Sequence, residues 1–271
     1  MHYASFLTLM LMTTLATGQS VSTRMGARHA GMGYASFALG DESGLLGNVA
    51  GLAKVHHHAV TFNQEIVPDL TGGNRSSAGL IVTSPFGTLG LNVFRFGDNI
   101  YREQMISIGF AHEIGTTALG MRMNYIQYEA DGFGTTGTST LDFAGLTSIT
   151  PHLFVGAGIF NLTQSTIASG EKLPVILTAA IAYQPGKSLH AAFEVEKKLG
   201  SPVVFKGGVE AGISKKVFLR TGFNLHPASL FGGIGALTHR LNIDSAVSFN
   251  RLYGFVYQAS ATYKLGRQKE L

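Results

Sequence analysis

Cysteine and tryptophan are both absent from this chain of 271 residues, charged residues make up only 13% of it, and proline occurs 7 times. Without cysteine there is no disulfide framework, no thiol nucleophile, no Cys-ligated zinc and no lipoprotein anchor. Beyond the N-terminus, no run approaches the roughly 18 to 20 apolar residues that a membrane-spanning helix needs. Yet the chain is 45% hydrophobic, with a mean hydropathy of +0.20. An apolar balance with so little charge and no spanning helix leaves strands as the way across a membrane. The formal excess of +4 gathers into no basic cluster, so nucleic acid is not an expected partner.

The chain opens on a predominantly apolar stretch over residues 6–15, followed by the small residues Ala16, Thr17 and Gly18. This pattern predicts a secretory signal peptide over 1–18, although its n-region carries His2 and neither Lys nor Arg. Export is therefore expected.

From about residue 57 onward one unit recurs: roughly ten residues alternating apolar and polar, then a break rich in Gly, Pro, Asn or Ser. Alternation at period two is the mark of a strand with two different faces. Leu189, Ala191, Phe193 and Val195 face one way, while His190, Ala192, Glu194 and Glu196 face the other. The following units repeat this, with charges kept to one face. The expected fold is all-β, a transmembrane antiparallel barrel of about 14 strands over residues 57–265 in the outer membrane, with lipid around it. The expected strands are 57–67, 76–85, 88–97, 102–113, 117–128, 138–149, 153–163, 174–184, 188–198, 203–213, 217–226, 230–240, 243–251 and 254–265.

Two features outside that count agree with it. Pro68, Pro85, Pro151, Pro174, Pro185, Pro202 and Pro227 all fall at strand ends or in connections, where a missing N–H does no harm to the ladder. Short connections at 85–87, 114–116, 150–152 and 185–187 alternate with longer ones at 68–75, 129–137 and 164–173, as periplasmic turns and outer loops do. Aromatic residues near strand ends (Tyr101, Tyr125, Phe154, Tyr183, Tyr253, Tyr257 and Tyr263) suit closure in lipid better than a soluble sandwich. The strand from Phe255 to Leu265 resembles the C-terminal strand of outer-membrane proteins and is followed by a polar tail over 266–271.

Residues 19–56 break the pattern, and the part over 24–54 is rich in Gly and Ala with no alternation. Within it Gly26, Ala27, Arg28, Gly31, Met32, Gly33 and Ala35, then the acidic pair Asp41 and Glu42, then Asn48, Ala50, Gly51 and Leu52 follow the spacing G-A-R-x-x-G-M-G-x-A, acidic pair, N-P-A-G-L. That pattern resembles the PorV/PorQ family of Bacteroidetes-type envelopes and, more distantly, the FadL family of hydrophobic-substrate transporters. Val49 stands where the family usually has proline. The resemblance implies an N-terminal plug, or hatch, folded inside the barrel. It also implies either an accessory role in a type IX-like secretion system, docking translocon or cargo proteins, or gated transport of small hydrophobic ligands.

Charged residues on the inward face, Arg122, Glu194, Glu196, Lys206, Glu210 and Arg220, are read either as a salt-bridge network holding the plug or as a substrate path. The glycines of Gly31 and Gly33 follow no strand and precede no βαβ unit, so no dinucleotide or other cofactor is expected. His56, His57 and His58 are adjacent and would point to alternate faces, which suits a cluster at the periplasmic rim better than a metal site. No Ser/His or Asp/His spacing singles out a catalytic site, and enzymatic activity is not expected.

Overall fold

A strand that touches lipid on one side and the lumen on the other must carry apolar side chains at every second position, and its backbone groups must all pair sideways. The computed structural model, which describes residues 22–167, 170–186, 188–251 and 254–266, meets both demands. The expected signal peptide lies outside the described residues, as do Tyr253 and all of the expected tail beyond Gly266. The strands are β1 His58–Ile66, β2 Arg75–Ser84, β3 Gly87–Gly97, β4 Tyr101–Ile114, β5 Thr117–Ala130, β6 Gly134–Thr150 and β7 Leu153–Phe160. They continue with β8 Ile176–Gly186, β9 Leu189–Lys198, β10 Val203–Gly212, β11 Val217–Leu225, β12 Ser229–Leu237, β13 Leu241–Asn250 and β14 Gly254–Leu265. Each pairs antiparallel with the next, and β14 pairs with β1 along the whole of β1, from Ile66 opposite Tyr257 to His58 opposite Leu265. The barrel is closed, with 14 strands and no free edge.

On β4, Ile106, Ile108 and Phe110 are exposed on the outer surface, while Met105, Ser107 and Ala111 are buried. The same division holds around the wall: Met121, Met123 and Tyr125 point outward from β5, and Arg122 and Asn124 point in. Among the described residues no helix is long and apolar enough to cross a membrane. The outward apolar band therefore makes the lipid contact.

Three local expectations are corrected. Residues 129–137 are not a loop: β5 and β6 stay paired up to Ala130 opposite Gly134, leaving a tight turn with Gly132 and Gly134 at φ +77 and +83. Alternation fades in that stretch because Thr135, Thr136, Thr138 and Ser139 make both faces polar. The turn expected at 241–242 falls at 238–240, because β12 stops at Leu237. Phe154 packs against the lumenal core instead of standing in lipid. The longer connections are 67–74 and 161–175, on the rim opposite to the start of β1 and the end of β14. By the usual asymmetry of such barrels that rim is the outer one. Pro185 lies at the end of β8, where the register slips between Tyr183 and Gly186 and the ladder is already interrupted.

Residues 22–57 run inside the barrel. They form the short helix α1, Ala27–Gly31, and two 3-10 turns, Glu42–Leu45 and Val49–Lys54. Ser22 lies near the outer rim, where its carbonyl accepts from Arg75, and Lys54 lies near the periplasmic rim, paired with Glu113. Phe37, Val49 and Leu52 from this segment join Ile81, Leu146 and Ala182 of the wall in one buried apolar cluster.

Candidate functional site in the barrel lumen

A segment inside a barrel must meet the wall without leaving charges unpaired, since buried unpaired charge is expensive. Two ionic clusters do this. In the first, Glu194 on β9 is fully buried and accepts from Arg24, from the backbone amides of Ser36 (3.1 Å) and Phe37 (3.0 Å), and from Lys206 of β10 (3.1 Å). Glu196, two residues up the same face, accepts from Arg24 at 3.1 Å and Lys206 at 2.7 Å. In the second, Glu210 on β10 takes both Nε and Nη2 of Arg28 (2.9 and 2.7 Å), Nε of Arg220 on β11 (2.5 Å) and Nδ1 of His190 (2.9 Å). Arg220 continues to Asp244 on β13 at 2.7 Å. Each carboxylate thus faces at least one cation from the wall, and Glu194, Glu196 and Glu210 each also face one from the segment.

Within the segment, Asp41 accepts from Arg28 Nη1 (2.7 Å), His29 Nε2 (2.9 Å) and the Ser43 amide (2.9 Å), which folds the chain back on itself. Burial pushes the Asp41 carboxyl up, but the His29 ring, the Arg28 guanidinium and the Ser43 N–H outweigh it and hold it well below the usual carboxylate range. Burial likewise pushes the Tyr34 phenol up to about 12, helped by the charge of Glu65. Tyr34 Oη accepts from Gln258 Nε2 at 2.6 Å. Glu65 forms a two-pronged pair with Arg75 at 2.6 and 2.5 Å.

The motif residues find local reasons. Gly26 caps α1 at φ +123 and Gly33 closes the following turn at φ +64, both in backbone space that side chains avoid. A side chain on Gly31 would lie 3.1 Å from Gly233 Cα. Met32 is fully buried, its backbone so close to Gly208 and Gly222 that neither could carry a Cβ. Asn48 caps the second 3-10 turn through Ala50 N (3.0 Å) and donates to Phe37 O (2.6 Å) and Gly145 O (3.2 Å). Ala50 presses its backbone on Gly120, where an added Cβ would come within 2.6 Å. Gly51 sits 3.0 Å, by the same measure, from Leu39 O, and Leu52 is fully buried.

Of the inward charges, Arg122 stands apart from the two clusters. It pairs with Asp142 on β6 (2.8 Å) and donates to Leu45 O of the segment (2.6 Å). His57 meets Glu42 at 2.8 Å, His58 accepts from the Thr83 amide at 3.0 Å, and His56 is exposed. Among the described residues no group of three or more His, Cys, Asp or Glu is placed to hold a metal. Sequence reading did not single out Arg24, His29, Tyr34, Glu65, Arg75, Asp142, His190 or Asp244. Alternation marks the five wall residues, since Glu65 shares the parity of Thr61 and Asp142 is opposite in parity to Phe143. Nothing periodic marks Arg24 or Tyr34.

Several cavities adjoin the segment, among them an open one of about 450 Å³ at the periplasmic rim against Ala53, Val55 and His56. On the outer side, one of about 320 Å³ lies against Tyr34, Leu70, Phe96, Phe231 and Ala246, and another of about 180 Å³ against Met105, Ile126, Phe160, Leu173 and Ile176. On the periplasmic side, about 340 Å³ is bounded by Arg28, Asp41, His190, Glu210, Arg220 and Asp244. The surface of the outer pair is chiefly apolar, although Glu65 and Arg75 also line the first and Arg24, Arg122, Asp142 and Glu196 the second; the inner one is bounded mainly by polar and charged groups.

No protein-family model matches this sequence, and no curated relative does. Solved structures do share its fold. The Pseudomonas putida toluene transporter TodX superposes with a TM-score of 0.69 over 92% of this chain and 100% of that one, at 10% identity. The Ralstonia pickettii toluene transporter TbuX gives 0.64 over 90% and 98%, at 13% identity. A Pseudomonas aeruginosa FadL homologue gives 0.59 over 90% and 98%, also at 13% identity. At such identities the likeness is one of fold. The chain folds as a closed 14-strand β-barrel with the architecture of the FadL-type outer-membrane barrels.

Proposed function

We propose that the protein admits small apolar molecules across the outer membrane through a lumen gated by its N-terminal segment. The observation that carries this reading is the arrangement of cavities: apolar ones toward the outer rim, a charged one toward the periplasm, and the segment between them. About 320 Å³ sits at the lower end of the roughly 300 to 1,000 Å³ typical of ligand pockets, so the outer site suits a compact molecule. Arg24 and Arg28 tie the segment to the wall, so the lumen resists free flow and passage requires a local displacement. Shared fold with two proteins named as toluene transporters supports the same reading. The secretion-accessory role implied by the N-terminal motif finds no such support.

The test is uptake of labelled toluene by cells with and without the protein, alongside binding of an apolar fluorophore to the purified barrel. Uptake should fall to the passive rate on deletion, and toluene should displace the fluorophore. Unchanged uptake on deletion would refute transport.

A further inference from the structure

If the segment gates transport, the gate has a place, and the cavities show where. The outer cavity at Tyr34 and the periplasmic cavity at Arg28 lie on the same stretch of wall, formed by β12, β13, β14 and β1. On β13, Asp244 lines the inner cavity and Ala246 the outer one; on β14 these positions are Ser260 and Gln258, and on β1 they are Asn63 and Glu65. In each case the two residues are successive inward positions of one strand, about 7 Å apart at the rise of a β-strand. One layer of side chains separates the cavities.

That layer is α1. Ala27 lines the inner cavity and Ala30 the outer, and both pack against Ala246 in a small cluster completed by Tyr34. The helix is tied to β14 on either side of the layer, by Ala27 N donating to Ser260 Oγ at 2.7 Å and by Gln258 Nε2 donating to Tyr34 Oη at 2.6 Å. Gly26 and Gly33, at φ +123 and +64, flank it with two points where the backbone is least encumbered by side chains. The opposite wall is different. There the smaller outer cavity is divided from the periplasmic rim by the segment's apolar core, with Phe37 on Gly156 and Gly158 and Val49 on Gly109.

We infer that the permeating molecule passes along the β12–β1 wall and that α1, seated on Ala246, is the constriction it must displace. This rests on the transport reading above and adds the route. Small side chains at Ala27, Ala30 and Ala246 keep the seal shallow, so a compact apolar molecule in the outer cavity has only one helical turn to move. Arg28, held by Glu210 and Asp41, returns the helix to its seat.

Because the chain has no cysteine, a single thiol can be placed and capped after folding, which separates blockage from misfolding. The variants are Ala246→Cys at the constriction and Thr140→Cys, whose position lines the other outer cavity. Each is capped on cells with a benzyl methanethiosulfonate, with completion followed by mass spectrometry, and toluene uptake is measured before and after. Capping A246C should reduce uptake to that of cells lacking the protein, while capping T140C should leave it unchanged. Loss of uptake in capped T140C with none in capped A246C would overturn the route and leave transport intact. Failure of the A246C thiol to react from outside would also overturn the route, since the outer cavity must reach it. Absence of uptake by the uncapped proteins would remove the transport reading itself.

Discussion

Glu194 shows how one side chain can commit a whole segment. It is fully buried and receives two side-chain cations and two backbone amides, so it is the point at which residues 24–37 are fixed to the wall. Neutralising Glu194 leaves Arg24 and Lys206 to share Glu196 alone, and breaking a buried ionic set costs on the order of 3 to 5 kcal/mol. Glu194→Gln should therefore lower the unfolding temperature of the purified barrel and speed tryptic cleavage after Arg24 and Arg28. Asp41 makes a second case, through pH. Its carboxyl is depressed in the folded protein, so its contribution is complete above the ordinary carboxylate value of 3.8 and is lost as pH falls below that toward the folded value. Resistance of the segment to an acid-stable protease should accordingly be flat from neutrality down to about pH 4 and then decline. In Asp41→Asn that decline should be smaller, the remainder coming from the carboxylates that hold Arg24 and Arg28 to the wall.

At the scale of elements, the wall and the segment fit because the wall has removed its own side chains where the segment's backbone arrives. Gly208 and Gly222 face Met32, Gly156 faces Phe37, and Gly120 faces Ala50. Backbone cannot retreat as a flexible side chain can. Gly120→Val should therefore push the second 3-10 turn off β5 and expose Lys54 to trypsin, while Gly232→Val, at an outward position with open space around it, should leave cleavage unchanged. A matching digestion rate for the two variants would show that the contact does not position the turn. The strands follow a simpler rule. Each carries its apolar residues on alternate positions, and only where β6 rises among Thr and Ser does the pattern fade, so that paired strand reads as loop.

For the whole molecule, closure and filling are separate matters. Fourteen strands close on themselves through β1 and β14, and backbone pairing around the ring needs nothing from the interior. The wall charges also have partners of their own, with Lys206 on Glu194 and Glu196, and Arg220 on Glu210 and Asp244. A chain lacking residues 24–54 should for these reasons still insert and show heat-modifiable migration, but conduct ions in planar bilayers where the full protein is closed. A deletion variant that folds and remains silent would mean that the segment is not what fills the lumen.

What the amino-acid order determined alone is the wall. A period of two, repeated between Gly and Pro breaks, states which side chains meet lipid and which meet the lumen, because a strand has only two faces; Arg122, Glu194, Glu196, Lys206, Glu210 and Arg220 all point inward as that parity demands. The N-terminal motif marked a special segment without stating its contacts. Which charge meets which, that Arg24 reaches a strand 170 residues away, and that α1 stands between two cavities were decided only by the tertiary structure. The reason is physical: a strand's period is local, whereas an aperiodic segment takes its shape from the surface that surrounds it, and that surface does not exist until the ring is closed.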